Sequence, residues 1–330
     1  MRPAELKSFL VKALTHKLKV LIKGPPGCAK SDICEQAANE AGYRLMVSHP
    51  AVSDPTDYKG MPAITNGGKE AHFLPFGDLN EMIHAKEPLA VFFDDIGQAP
   101  HSVQAALMQL LLARRVNGHR ISDHVVFIGA TNDTSHRAGV QSILEPVKSR
   151  WDTIVEVAVN VDDWCAWAFQ NEVPAEVIAF IRFRPNLLHA FEPTRELVNT
   201  PSPRTVAAVG KWVKAGLTDL AVIAGAAGQA FASEFVGFLR VYEQLPTIDQ
   251  ILLDPERAPV PTNPSALFAV TTALVKRFTK QAARKVFTYS ARLPKEYEMC
   301  LIRDAQRVNP DLPTCKEFVE WVTANQKWLN

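Results

Sequence analysis

The chain has 330 residues, 47% of them hydrophobic and 22% charged, the balance of a soluble globular protein with enough apolar side chains to build a core. Its 36 basic and 35 acidic residues leave a formal charge of +1, which excludes a global field that would collect nucleic acid or an anionic membrane. Five scattered cysteines (Cys28, Cys34, Cys165, Cys300, Cys315) show no C-x2-C spacing, which excludes a disulfide framework and fits a reduced, cytoplasmic protein.

Residues 1–19 mix basic and apolar groups in a helical pattern and do not read as a signal peptide. Val20-Leu21-Ile22-Lys23 then reads as a buried strand. Gly24-Pro25-Pro26-Gly27-Cys28-Ala29-Lys30-Ser31 follows it, with a helix beginning near Asp32. Strand, glycine-rich turn, Lys-Ser and helix is the layout of a phosphate-binding loop. Gly24 and Gly27 let the backbone curl until successive N–H groups face an anion, and the helix turns its positive end toward the same point. Lys30 is placed to reach β- and γ-phosphates, and the Ser31 hydroxyl to hold Mg2+. Ala29 stands where such loops usually carry a second glycine, and helical dihedrals would accommodate it. A thiol at Cys28, close to a helix N-terminus, is expected to be reactive.

Further strands are expected at Lys19–Lys23, Tyr43–Val47, Leu89–Asp94, Val125–Thr131 and Thr153–Val157, alternating with helical patterns. Such alternation predicts a parallel sheet with helices on both faces, an α/β fold. Ser53–Phe76 interrupts the scheme with Pro and Gly. The helix His101–Arg115 carries Val103, Leu107, Leu110, Leu111 and Arg114 on one stripe, and Asn117-Gly118 marks a hairpin within Arg114–Arg120. Arg114, Arg115, His119 and Arg120 flank its tip, as an exposed turn or, in a ring, as a pore lining. Beyond about Val159 the pattern is helical: Asp162–Gln170, Pro174–Arg182 and Pro203–Lys214, then further helices over residues 218–330 around a Pro-rich loop at Pro255–Pro264. Leu220–Ser233 is too short and too rich in Ala and Gly to span a bilayer and predicts a buried helix. Leu267, Thr271, Leu274, Val275, Phe278 and Ala282 mark an amphipathic face, with Lys276, Lys280 and Arg284 on its polar side. Trp164 and Trp167 read as core. The expected organisation is a nucleotide-binding domain at 1–158, a small helical lid at 159–217 and a helical extension at 218–330.

Four more elements carry chemistry. Val91-Phe92-Phe93-Asp94-Asp95 is an apolar strand ending in two carboxylates, which a parallel sheet sets beside the loop. Asp94 would hold Mg2+ through water, and Asp95 would orient or deprotonate an attacking water. Phe127-Ile128-Gly129-Ala130-Thr131-Asn132 is a buried strand tipped by an amide able to bond that water or the γ-phosphate. Ser149-Arg150-Trp151-Asp152 offers an arginine with no evident mate in its own site, and so one that serves a neighbour's. In Ser202-Pro203-Arg204-Thr205, Arg204 sits in a first helical turn, where the macrodipole disfavours a cation and a phosphate would explain one.

In this order the five elements resemble Walker A, Walker B, sensor 1, arginine finger and sensor 2 of the AAA+ ATPases. Gly-x-Pro-Gly-x-Ala-Lys-Ser and the insertion beginning Asp54-Pro55-Thr56-Asp57-Tyr58-Lys59-Gly60 are similar to the MoxR-type branch, relatives of the CbbQ and NorQ activases, over roughly residues 15–215. The helical tail has no counterpart in that resemblance. It implies binding and hydrolysis of ATP with Mg2+. It also implies a ring, a hexamer by expectation, in which one subunit's finger completes the next site, and a chaperone-like remodelling of a protein client with a von Willebrand factor A domain partner. Membrane and nucleic acid are not expected partners. Two alternatives stay open: a DNA-directed motor or loader, and a nucleotide-gated scaffold with little hydrolysis. The scaffold draws on Asp95, one methylene shorter than the glutamate most AAA+ proteins carry. Arg137 is a second candidate finger.

Overall fold

The computed structural model describes residues 1–132, 143–192, 194 and 196–328, and its contacts group into two compact units, Met1–Val159 and Asn160–Asn330. Arg137 lies outside the described residues.

The first unit opens with α1 (Pro3–Thr15), β1 (Val20–Lys23), α2 (Lys30–Glu40) and β2 (Arg44–Ser48). An insertion follows: α3 (Pro55–Lys59) and the antiparallel hairpin β3 (Met61–Thr65) and β4 (Glu70–Leu74). Next come α4 (Gly77–His84), β5 (Leu89–Phe93), α5 (His101–Ala113), the short hairpin β6 (Arg115–Val116) and β7 (His119–Arg120), β8 (Val125–Thr131), α6 (Glu145–Lys148) and β9 (Thr153–Glu156). Strands β2, β5, β8, β1 and β9 form, in that order, one parallel sheet. Every residue of β5 and β8 is buried, because both faces of the sheet are covered, which is why these strands read as unbroken apolar runs. Leu21, Val91, Phe93 and Phe127 pack toward α5 on one face, while Val20, Ile22, Phe92 and Ile128 pack toward α1 and α2 on the other. Each such large side chain contributes on the order of 2 kcal/mol. A β-carbon on Gly129 would lie 2.7 Å from the Trp151 ring, so a side chain there would displace the indole.

One expectation needs correction here. Arg114 ends α5 at φ +48 and does not join a solvated tip; it donates to the Ser122 and Val125 carbonyls (2.6 and 2.9 Å) and lies 5.8 Å from the Phe127 ring centre. Asn117 and Gly118 turn the hairpin with positive φ, as the dipeptide predicts.

The second unit is helical: α7 (Val161–Gln170), α8 (Ala175–Phe183), α9 (Pro203–Lys214), α10 (Leu220–Ala227), α11 (Gln229–Glu243), α12 (Ile248–Leu253), α13 (Pro264–Arg277), α14 (Ala283–Ser290), α15 (Lys295–Val308) and α16 (Lys316–Asn325). Phe180 of α8 sits 5.1, 5.2 and 5.5 Å from the rings of Phe231, Phe235 and Phe238 of α11, and α13 packs against α8 and α15. Helices from both sides of position 217 thus pack on one another within this unit. Leu220–Ser233 is two helices and half-exposed, because Gly228 turns the chain at φ +92 against the Asn199 carbonyl. Helix α13 ends at Arg277, so Lys276, Lys280 and Arg284 do not share one helical face, and Lys276 Nζ donates to the Val173 carbonyl (3.3 Å). Trp164 is core, 7% exposed, with Nε1 donating to the Pro203 carbonyl (3.3 Å). Among the described residues no helix is long and apolar enough to cross a membrane.

Unforeseen from sequence is an ion network inside this unit. Arg182 donates twice to Asp304 (2.7 Å each) and also to Asp162, which takes a further bond from Arg303 (3.0 Å). The Arg182 and Asp304 side chains are only 6% and 4% exposed.

Candidate nucleotide site

The site lies at the carboxyl ends of three adjacent strands, β5, β8 and β1, where a parallel sheet opens its crevice. The loop after β1 begins at Gly24, whose N–H donates to the Thr131 carbonyl (3.2 Å). A β-carbon on Gly24 would stand 2.5 Å from Val157 Cγ1, so the chain passes there only without a side chain. Gly27 takes φ +73. Ala29 also takes a left-handed conformation (φ +67, ψ +32), contrary to the helical dihedrals expected of it. The loop must bend back before α2 starts, and an alanine in that conformation costs about 1 kcal/mol.

Lys30 is the first residue of α2 and is 7% exposed. Its ammonium donates to the carbonyls of Gly24 (3.1 Å) and Pro25 (3.0 Å) and to Asn132 Oδ1 (2.8 Å), which engages all three protons. Ser31 Oγ donates to Asp94 Oδ2 (2.8 Å), and the Asp95 N–H donates to Asp94 Oδ1 (3.0 Å). Asn132 Nδ2 in turn donates to Asp95 Oδ1 (3.1 Å). Lys30, Ser31, Asp94, Asp95 and Asn132, far apart in the chain, thus form one hydrogen-bonded circuit closed by the peptide link from Lys30 to Ser31. Asp95 sits at φ +52, a turn that brings its carboxylate back toward the amide at the tip of β8.

Two oxygens, Ser31 Oγ and Asp94 Oδ2, stand side by side as hard donors suited to Mg2+. Among the described residues no group of three or more His, Cys, Asp or Glu could hold a metal alone. A magnesium ion fits this arrangement, since it characteristically takes one or two protein oxygens and completes its shell with phosphate and water.

The remaining expected residues stand differently. Cys28 is buried at 4% exposure in the apolar layer with Cys34, a setting that limits access to the thiol expected to be reactive. Burial pushes the Cys34 thiol far up, the Asp94 charge adds to this, and Lys30 opposes it. Arg150 has mates in its own subunit, against the sequence reading: Nε donates to the Met108 carbonyl (3.1 Å) and a terminal nitrogen to that of Pro146. The short helix α6 ends beside α5, whose carbonyl at Met108 no local pattern announces. Arg204 is exposed at the second position of α9, which is capped by Ser202 and Thr205, and belongs to the second unit. Sequence reasoning also missed Ser48 and Tyr58, whose hydroxyls meet beside β5 (2.9 Å); no local signal pairs a strand-end serine with a tyrosine in an insertion.

Sheet order, phosphate loop and strand-end carboxylates define an AAA+ P-loop fold followed by a helical part. Residues 19–151 match the model of the AAA domain, dynein-related subfamily. Among solved structures, NtrX from Brucella abortus aligns over 91% of this chain and 67% of its own at 12% identity, TM-score 0.44. The Thermotoga maritima RuvB Holliday junction branch migration motor aligns over 82% of this chain and 80% of its own at 18% identity, TM-score 0.43. A Brucella abortus NtrX structure in complex with ADP covers 92% of this chain and 68% of its own at 13% identity, TM-score 0.42. No curated protein sequence matches the chain.

Proposed function

We propose that this chain is a MoxR-type AAA+ ATPase that binds ATP with Mg2+ and hydrolyses it to remodel or activate a protein client. The observation that carries the reading is the circuit joining Lys30, Ser31, Asp94, Asp95 and Asn132 at three neighbouring strand ends. A glycine-rich turn alone has no need of a buried lysine, and a solvated strand end has no need of two carboxylates fixed by a hydroxyl and an amide.

The loop residues Gly24, Pro25, Pro26, Gly27, Cys28 and Ala29 wrap the phosphates, with backbone N–H groups as donors. Lys30 moves from its carbonyl partners onto the β- and γ-phosphates, where its charge offsets theirs. Ser31 and Asp94 would hold Mg2+, which would supply charge stabilisation to the phosphates. Asp95 orients the attacking water and takes its proton, while Asn132 fixes that carboxylate through Nδ2. Water adds to the γ-phosphorus as the bond to the β-phosphate oxygen breaks, giving ADP and phosphate. Arg150 is assigned as the finger acting on a neighbour's γ-phosphoryl group, and Arg204 as a second phosphate contact from the helical unit, both by the family pattern.

The wider assignment has the subunits in a hexameric cytoplasmic ring, with residues 159–217 as lid and 218–330 as a helical extension. A von Willebrand factor A domain protein is the expected partner. The near-neutral charge supports a protein client over DNA.

Calorimetry with Mg-ATP tests the core of this. Wild type should bind and Lys30→Ala should not, and equal affinity in the two would refute the phosphate-loop assignment. ATPase strongly stimulated by DNA at physiological salt would replace the protein client with a nucleic acid.

A further inference from the structure

The geometry points to Tyr58 as a positioning residue that ties the exposed hairpin β3–β4 to the Asp94–Asp95 pair. Tyr58 is the penultimate residue of α3, three residues before the hairpin begins at Met61, and is 1% exposed. Its ring meets Phe93 edge-on, with centroids 6.0 Å apart. Its hydroxyl bonds Ser48 Oγ (2.9 Å) and donates to Ser53 Oγ (3.1 Å). Ser48 is paired with Phe93 across the sheet, and its carbonyl accepts the Asp94 N–H (2.9 Å). Tyr58 therefore grips Asp94 from two sides, through the residue before it and through its backbone hydrogen-bond partner.

The connection continues on the far side of β5. Phe93 stacks on Phe127 (5.7 Å, 20°), which lies under Arg114 at the root of the β6–β7 hairpin. That second hairpin reaches back to the first: Asn117 Nδ2 donates to the Lys59 carbonyl (2.8 Å), and His119 Nε2 to that of Phe73 (3.1 Å). Carboxylate strand, tyrosine, both hairpins and the aromatic pair close into a loop of contacts. Phe93 and Phe127 are fully buried, and a packed core passes a displacement on in preference to absorbing it. The hairpin at the other end is exposed, Met61 at 52% and Ile64 at 78%.

A phenylalanine would pack on Phe93 equally well. The phenol adds the bond to Ser48, so the hydroxyl pair is the specific part of the tie. When the carboxylates shift as nucleotide binds, β5 and Ser48 carry the root of the hairpin with them. This coupling rests on the ATPase reading above, and the test separates the two.

Tyr58→Phe keeps the ring and removes the hydroxyl with its bonds to Ser48 and Ser53; Ser48→Ala removes the shared bond from the other side, together with the Ser48 bond to Asp78. Hydrogen exchange of the full chain without nucleotide should show the Asp94 amide and the hairpin amides exchanging about fivefold faster in both variants, the effect of the buried hydrogen bond that both lose. Amides of β1 and α2 should keep wild-type rates. With Mg-ATP, kcat should fall about fivefold while KM stays within about twofold, since binding groups are untouched. Unchanged exchange at Asp94 and the hairpin in both variants would overturn the coupling, as would a uniform rise through the unit. A wild type without turnover would refute the ATPase reading, and the exchange arm would still decide the coupling.

Discussion

Asp304→Asn removes one charge from a buried pair at almost unchanged volume. Its partner Arg182 is 6% exposed and loses two charge-assisted bonds of 2.7 Å. Leaving one member of a buried pair uncompensated costs about 3–5 kcal/mol. Asp162 still accepts from Arg182, but it is 30% exposed and shared with Arg303, so it offsets only part of the loss. The expected cost is therefore near the lower bound, about 3 kcal/mol. At about 2–4 °C per kcal/mol for a unit of this size, the midpoint should fall by roughly 6–12 °C. Five of the six tryptophans (Trp164, Trp167, Trp212, Trp321, Trp328) belong to the helical unit, so intrinsic fluorescence during heating follows mainly that unit. Arg182→Met combined with Asp304→Leu should recover most of the loss, because apolar side chains of similar volume carry no desolvation penalty. A drop below about 1 kcal/mol in Asp304→Asn, or a double variant no better than the single, would refute the reasoning.

Asp95→Asn should keep ATP bound while turnover falls by on the order of a hundredfold or more. Asp95→Glu should hold or raise the rate, since it restores the longer reach; unchanged turnover in Asp95→Asn would mean another group handles the water. Arg150→Ala should bind ATP nearly normally yet hydrolyse it poorly, with some loss of thermal stability because the Met108 and Pro146 carbonyls lose their donor. Mixing it with Lys30→Ala should restore part of the activity through interfaces where an intact loop faces an intact arginine. No recovery, with stability lowered, would leave Arg150 a bracing residue of its own subunit.

The five strands, the phosphate loop and both strand-end acids were legible in the chain itself. Their signals are local: unbroken apolar runs for strands buried on both faces, glycines where the backbone must curl, carboxylates directly after a run. The Asn117-Gly118 turn and the start of α9 at Ser202-Pro203 were legible for the same reason, since each depends on a few adjacent residues. What the tertiary structure alone decided depends on residues far apart in sequence. Ala29 is left-handed because the loop must bend back into α2, and Cys28 is buried in the apolar layer that α1, α2 and the sheet share. Arg114 and Arg150 find carbonyl partners on neighbouring segments, and Tyr58 finds Ser48 across an insertion. The Arg182–Asp304 pair spans 122 positions, and no local period can announce it. Local physics names the elements, while the partner of a buried polar group is set by which elements the core brings together.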